Sequence, residues 1–353
     1  MKDGKIGWGI VGCGVIGYWH DRAVWANADR AEVVAYCDTD LSRAEALNQK
    51  YAAGNAATYN DVRALVGDPN VDVISVCTPS GLHLEPVLAA AEAGVHVLCE
   101  KPLEITLERI DRMIEAAEKA RIKLGVVFQR RTYEPVQRIK RAVDAGEFGK
   151  LTLADAYLKF YRTQSYYRSA SWRGTWALDG GGALMNQGIH GIDLLLWFAG
   201  EVRSVQAKAR TLARPIETED TAVALLEFAS GALGVVEGST AANPEQPMRV
   251  ALQGTAGSVL LEDAKIAFWA AGGDDEKKAE VRDLRPEEAE PAGGKLSGDD
   301  LAGLGHVRLV ADLLDAVEHD RPPLITPQEG RRSVELILAI YESSRTGKEV
   351  VLS

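Results

Sequence analysis

The apolar run Ile6–Val11 ends in Gly12-Cys13-Gly14-Val15-Ile16-Gly17, a GxGxxG set between a strand-like segment and a helix-compatible one. Few short patterns restrict a fold as tightly. The first glycine makes a tight turn, the second lets the backbone approach a pyrophosphate, and the third lets the helix pack on the strand. The helix start, with Val15 and Ile16, then turns exposed N–H groups toward the phosphates. The next strand-like run, 32–37, closes on Cys37-Asp38. Asp38 lies 21 residues past Gly17, near the offset at which an acid binds a ribose hydroxyl. A carboxylate there repels a 2′-phosphate and favours NAD over NADP, with Arg43 nearby as the opposing feature. The alternative is a simple turn with Asp38 as a helix cap.

Further apolar runs at 71–77, 95–99 and 123–128 alternate with helix-period segments at 84–93 and 107–120. That alternation predicts a doubly wound parallel sheet covered on both faces, an α/β Rossmann domain over residues 1–125. In such a sheet the carboxyl ends of the strands face the ligand crevice. Thr78, Pro79 and Ser80 therefore belong beside the cofactor. His83, at the start of the next helix, is either a cap or a cofactor contact. The following run ends in Glu100-Lys101-Pro102, and the proline fixes the backbone just after the lysine. A lysine at that mouth can donate a hydrogen bond to a reacting oxygen and stabilise a developing alkoxide. Glu100 is assigned with it to the cofactor side.

Beyond about residue 125 the pattern changes. Strand-like runs at 151–161, 202–211, 221–228, 232–237 and 248–261 follow one another with only turns between, and Ser230-Gly231 reads as a hairpin turn. Residues 126–353 are thus expected to form an α+β domain with a large, open, mainly antiparallel sheet, one face of which can meet a partner subunit. Residues 271–300 carry 10 acidic against 5 basic side chains and read as a solvated excursion. Helices are expected at 307–318 and 327–344.

Charge removes several functions. Lys plus Arg is 40 against 51 for Asp plus Glu, a net charge of -11. Nucleic-acid binding needs phosphates neutralised by basic side chains, so that class is excluded, and the same excess argues against anionic membrane surfaces. No run approaches about 18 apolar residues, so no membrane-spanning helix is expected. Cys13, Cys37, Cys77 and Cys99 form no CxxC pair and no zinc spacing, so no metal site is expected and four free thiols in a reducing cytosol are. Residues 1–5 lead into a strand without the apolar region of a secretory signal, which makes the cytoplasm the expected location.

GCGVIG together with CTPSGLH at 77–83 and EKPLEIT at 100–106 resembles the Gfo/Idh/MocA oxidoreductase family. The run GGGALMNQGIHGID at 180–193 is similar to that family's glycine-run, histidine and aspartate motif, and 330–348 to its C-terminal helix and final strand. The resemblance covers essentially the whole chain, and EKP with GIH is its specific part. It implies a Rossmann domain and an α+β domain that assembles a homodimer or homotetramer through its sheet. It also implies an NAD-dependent dehydrogenase that oxidises a secondary hydroxyl of a cyclitol, sugar or sugar derivative, nucleotide sugars and glycosides included. Lys101 and His190 are then the catalytic pair.

Asn186 and His190, four residues apart, would share one helix face. Histidine, with a reference pKa of about 6.5, suits proton exchange at neutral pH. Many relatives carry aspartate where this chain has Asn186. An amide is no base, but it can hydrogen-bond a substrate hydroxyl. His190 then bears the proton transfer alone or with Lys101. Tyr161, Arg162, Tyr166, Tyr167, Arg168, Trp172, Arg173 and Trp176 cluster before this helix. Aromatic faces suit sugar C–H surfaces, and arginines can hold a carboxylate or phosphate bidentately. Trp172, Arg173 and Arg131 are the substrate-side residues of this reading. Two other functions compete: an NAD enzyme whose transient oxidation permits elimination or glycoside cleavage, and a ligand-sensing regulator without catalysis. The joint presence of Lys101 and His190 counts against the regulator.

Overall fold

The computed structural model describes residues 4–284 and 298–352. They form two compact units, one of residues 4–129 and 298–331, the other of 130–284 and 332–352.

The first unit holds six parallel strands: β1 (Ile6–Val11), β2 (Ala31–Cys37), β3 (Ala57–Tyr59), β4 (Val73–Val76), β5 (His96–Cys99) and β6 (Leu124–Val126). Their order is β3-β2-β1-β4-β5-β6. The order reverses between β1 and β4, the switch point outside which open α/β sheets bind their ligands. Trp8, Ile10, Ile74 and Val97 are fully excluded from solvent, because helices cover both faces of the strands. Helix Leu107–Ala120 shows how the sequence builds such a cover. Thr106 caps it by accepting the Arg109 N–H, and Ile110, Met113 and Ala117 form its buried stripe. β3 is three half-buried residues long, too short for a period to show.

The first unit runs to Gln129 and includes residues 298–331, whereas the sequence reading gives everything after 125 to the second domain. The reason is packing. Helix Gly298–Glu318 lies on helix Val15–Trp25, where a side chain at Gly303 would come within 3.0 Å of the Trp19 ring. Leu309, Val310, Leu313 and Leu314 are buried, and Ile325 accepts the Val126 N–H at the edge of β6. Periodicity finds a helix but not the sheet it covers.

The second unit is built on nine strands: β7 (Leu151–Lys159), β8 (Val202–Arg210), β9 (Thr221–Phe228), β10 (Leu233–Ser239), β11 (Arg249–Gly254), β12 (Ser258–Glu262), β13 (Lys265–Ala271), β14 (Glu280–Val281) and β15 (Val350–Val351). They lie in the order β14-β13-β12-β11-β7-β10-β9-β8-β15. All neighbours are antiparallel except β7 and β10. The expected hairpin is present, with Glu227 opposite Leu233 and Gly231 at φ 84°. Residues 248–261 make two strands rather than one, because the chain reverses between Gly254 and Ser258, inside a run whose apolar character hid the turn. Of the acidic segment 271–300, Ala271 ends β13 and Glu280–Val281 pairs as an edge strand. Its residues 285–297 lie outside the described residues. Ala222, Ala224, Leu226 and Phe228 point into the core, while Val223, Leu225 and Leu233 on the opposite face are 46%, 59% and 59% exposed. No described helix is long and apolar enough to cross a membrane.

Candidate active site

The glycine loop divides its tasks as the motif requires. Gly12 sits at φ 94°, and a side chain there would strike the Cys77 carbonyl at 2.7 Å. A Cβ on Gly17 would lie 2.4 Å from the Gly12 oxygen, so the bare backbone is what seats the helix on the strand. At Gly14 nothing lies within 4 Å of a built Cβ. The loop is open where a pyrophosphate would approach, and the helix beginning at Val15 has no side-chain cap. Val15 and Ile16 are exposed. Asp38, half-buried at the end of β2, accepts the Cys13 N–H at 2.9 Å and the Asp40 N–H at 3.0 Å. An open cradle, an uncapped helix start and an acid at the end of β2 fit a dinucleotide, with the loop against its phosphates and Asp38 against a ribose. Asp38→Ala is therefore expected to weaken NADH binding about tenfold or more, the scale of one charged hydrogen bond, and to narrow the gap to NADPH. Fluorescence titration of both cofactors reads this. A wild type that already prefers NADPH overturns it.

At the end of β4, Thr78 and Pro79 are half-buried, and Ser80, buried, opens the short turn Ser80–Leu82. His83 is 1% exposed, with Nδ1 2.9 Å from the Pro102 carbonyl and Nε2 2.9 Å from the Thr78 carbonyl. Both ring nitrogens are committed to backbone, so His83 ties the β4 loop to the β5 loop instead of touching a cofactor. Glu100 is likewise turned inward. Its Oε1 lies 3.1 Å from His20 Nε2 and 3.0 Å from His306 Nε2, and its Oε2 accepts the Lys101 N–H at 3.1 Å. Burial pushes this carboxyl up, but the hydrogen bonds from His20 and His306 prevail and hold it well below the usual range. Lys101 follows, half-buried, before the cis bond to Pro102.

In the second unit, Gly180-Gly181-Gly182 leads into a π-helical turn, Ala183–Gly188, and then helix Ile189–Ala199. The segment that carries Asn186 is thus wider than the α-helix expected there. Glu219 holds it. Its carboxylate accepts the N–H groups of Gly182 (2.9 Å) and Leu184 (2.8 Å) and the Tyr341 hydroxyl (2.9 Å). A Cβ on Gly182 would lie 2.0 Å from the backbone carbonyl oxygen of Glu219, which is why that position has none. Burial pushes the Glu219 carboxyl up to about 7 against the pull of these donors. No spacing rule connects residue 219 to 182, and the sequence reading missed it.

Asn186 Nδ2 donates to Asp179 Oδ1 at 2.6 Å, and Asn186 Oδ1 accepts from Gln187 Nε2 at 2.8 Å. A carboxylate therefore stands one hydrogen bond behind the amide. The only signal for Asp179 in the sequence is its place just ahead of the glycine run. Gln187 also donates to the Tyr166 hydroxyl at 3.0 Å and accepts from Arg162 at 2.8 Å. Arg173 donates to the same hydroxyl at 2.5 Å, its guanidinium 4.3 Å from the Tyr166 ring centre and 4.6 Å from that of Trp172. His190 lies half-buried on the first turn of helix Ile189–Ala199. The second unit thus gathers Trp172, Arg173 and Asn186 into one connected polar and aromatic group leading to the helix of His190. Arg131 is elsewhere. It is 3% exposed and pairs bidentately with Asp193, at 2.9 and 2.7 Å, with its guanidinium 5.0 Å from the centre of the Trp197 ring. The substrate role expected for Arg131 is replaced by a buried ion pair, because the chain after β6 turns this side chain under the helix.

Residues 6–128 match the profile of the oxidoreductase family with an NAD-binding Rossmann fold, and residues 136–260 that of the GFO/IDH/MocA C-terminal domain. The myo-inositol 2-dehydrogenase of Thermotoga maritima is 31% identical over 273 residues, 73% of this chain and 75% of that protein. The D-glucoside 3-dehydrogenase of Escherichia coli is 28% identical over 364 residues, covering 97% and 96%. The structure of the WlbA dehydrogenase from Bordetella pertussis, in complex with NADH and UDP-GlcNAcA, is similar at a TM-score of 0.89 and 33% identity, covering 100% of this chain and 99% of that one.

Proposed function

The chain belongs to the GFO/IDH/MocA oxidoreductase family, and from that premise we propose that it is an NAD-dependent dehydrogenase oxidising a secondary hydroxyl of an anionic sugar derivative to a ketone. A bound nicotinamide supplies the hydride acceptor. The chain's residues supply the rest. Gly12, Gly14 and Gly17 with the start of helix Val15–Trp25 hold the pyrophosphate, and Asp38 holds the ribose. A ring nitrogen of His190 takes the proton of the substrate hydroxyl. Lys101 Nζ donates to the same oxygen and stabilises its developing charge. Asn186, oriented by Asp179, hydrogen-bonds a neighbouring hydroxyl.

The observation that carries the anionic substrate is Arg173. Its guanidinium is half-buried between two aromatic rings, its Nε is buried with no hydrogen-bond partner, and among the described residues it forms no ion pair. A half-buried guanidinium with an unused donor and no ion pair suits a carboxylate or phosphate. The WlbA dehydrogenase, whose complex contains UDP-GlcNAcA, is a relative with such a ligand; the inositol and glucoside dehydrogenases are named for neutral ones. Net NADH formation against a panel of free sugars, inositols, uronic acids and nucleotide sugars tests the reading. An acidic compound should be the best substrate. Arg173→Ala should raise its KM about tenfold or more with a smaller change in kcat, the mark of lost uniform binding. A neutral best substrate, indifferent to Arg173→Ala, overturns the anionic assignment, and no NADH from any compound overturns the dehydrogenase.

The exposed Val223, Leu225 and Leu233 support a homodimer or homotetramer closed over this face of the sheet, and a monomer by light scattering would remove it. The four free thiols fit a reducing compartment, the cytoplasm.

A further inference from the structure

Within the first unit, Trp8 of β1, Ser75 of β4, His20 of helix Val15–Trp25, Glu100 after β5 and His306 of helix Gly298–Glu318 form one hydrogen-bonded chain. Trp8 Nε1 donates to Ser75 Oγ at 2.9 Å, and His20 Nδ1 lies 2.7 Å from the same oxygen. An indole N–H only donates. Ser75 Oγ accepts from Trp8, which leaves its second lone pair and its own proton both open to His20 Nδ1. The ionised Glu100 carboxylate decides between them: Oε1, 3.1 Å from His20 Nε2, can only accept, so a neutral His20 carries its proton on Nε2 and its Nδ1 accepts from the Ser75 hydroxyl. His306 Nε2, 3.0 Å from the same oxygen, is the second donor. Burial pushes His20 toward the neutral form that this arrangement uses, against the pull of Glu100. The free end of the chain is Glu100 Oε2, which accepts the Lys101 N–H at 3.1 Å.

Three ionisable groups are buried here, His20 at 0% exposure, His306 at 3% and Glu100 at 6%. Apolar residues of similar volume would fill such a space at no desolvation cost. A carboxylate does what they cannot: it grips an N–H at one end while being gripped at the other. Two helices from distant parts of the chain converge on it, and what it grips is the backbone of Lys101.

We infer that Glu100 is a positioning residue for Lys101, and that His20 and His306 fix the carboxylate in the orientation that holds the lysine loop. The inference rests on the catalytic reading of Lys101 given above. Its chemistry makes Glu100→Gln informative. An amide accepts at one end and donates at the other, whereas residue 100 must accept at both. Either the imidazole donors or the Lys101 N–H would then face another N–H.

The test uses the full chain saturated with NAD and the acidic sugar that the wild type oxidises. Glu100→Gln should lower kcat about 10²-fold, the scale of a misplacement of about 1 Å, with KM and NADH affinity little changed. His306→Leu, a milder change should Glu100→Gln fail to fold, should lower kcat in the same sense. His306→Gln offers an N–H to the same oxygen and should recover most of the loss. Unchanged kcat in Glu100→Gln, or equal activity of His306→Gln and His306→Leu, overturns the inference. So does a loss that follows melting temperature and disappears per folded molecule. Crystal structures of the NADH complexes provide a reading independent of turnover: Lys101 Nζ should be displaced in His306→Leu and restored in His306→Gln. If no sugar is oxidised, the catalytic reading has failed, and an unmoved Lys101 in these structures overturns the positioning role separately. A stoichiometric divalent metal in the purified protein would make the two imidazoles ligands rather than donors, and would also overturn it.

Discussion

Alanine at Lys101 or at His190 is expected to lower kcat by about 10²–10⁴-fold, the usual contribution of a positioned acid or base, and to leave a folded protein that binds NADH. The expectation of a sound fold comes from what holds each residue in place. The backbone of Lys101 is gripped by Glu100 Oε2, and Pro102 beside it is tied to the His83 ring. The helix of His190 is fixed by the Arg131–Asp193 pair, and the turn before it by Glu219 through the N–H groups of Gly182 and Leu184. Both target side chains are only half-buried. Truncating either beyond Cβ removes chemistry while these anchors remain. Steady-state rates with the acidic substrate, NADH titration and thermal melting separate the outcomes. Unchanged turnover in either variant removes that residue from the mechanism, and unfolding of both makes their role structural.

The parts of this chain legible in its sequence are those encoded locally. Gly12 and Gly17 make room for atoms of the adjacent β4 end and of their own βα turn, Gly14 leaves the loop open, and the motif states all three tasks. Helices Leu84–Ala93 and Leu107–Ala120 follow from period and composition alone. What was not legible is pairing at a distance. Glu219 reaches Gly182 across 37 positions, Asp193 reaches Arg131 across 62, and His306 reaches Glu100 across 206. A residue just after a strand can face the ligand or the core, and neither period nor motif decides which. Arg131 and Glu100 both read as site residues for that reason, and both are turned inward onto partners that no spacing announces. The role proposed for Lys101 is compatible with this, because the inward position is taken by its neighbour Glu100.

Arg131 separates the two readings of a charge after a strand most sharply. Its guanidinium and the Asp193 carboxylate, 4% and 1% exposed, make two parallel hydrogen bonds. Arg131→Ala leaves that carboxylate buried without its main donors and is expected to destabilise the protein by about 3–5 kcal/mol, as for other broken buried pairs. Arg131→Lys should lose part of this, since an ammonium cannot make the parallel pair of bonds that a guanidinium makes. Replacing both residues together, as Arg131→Leu with Asp193→Leu, should lose much less than the two single losses combined, because no charge is then stranded. Denaturant unfolding of the wild type, Arg131→Leu, Asp193→Leu and the double variant measures this cycle, with Arg131→Ala and Arg131→Lys alongside. The substrate role predicts the opposite signature, a raised KM with the unfolding midpoint unmoved. If Arg131→Ala behaves that way, the ion pair is incidental and the guanidinium belongs to the substrate after all. If stability falls and KM holds among the molecules that remain folded, the pair fixes helix Ile189–Ala199 and keeps His190 in position only through that helix.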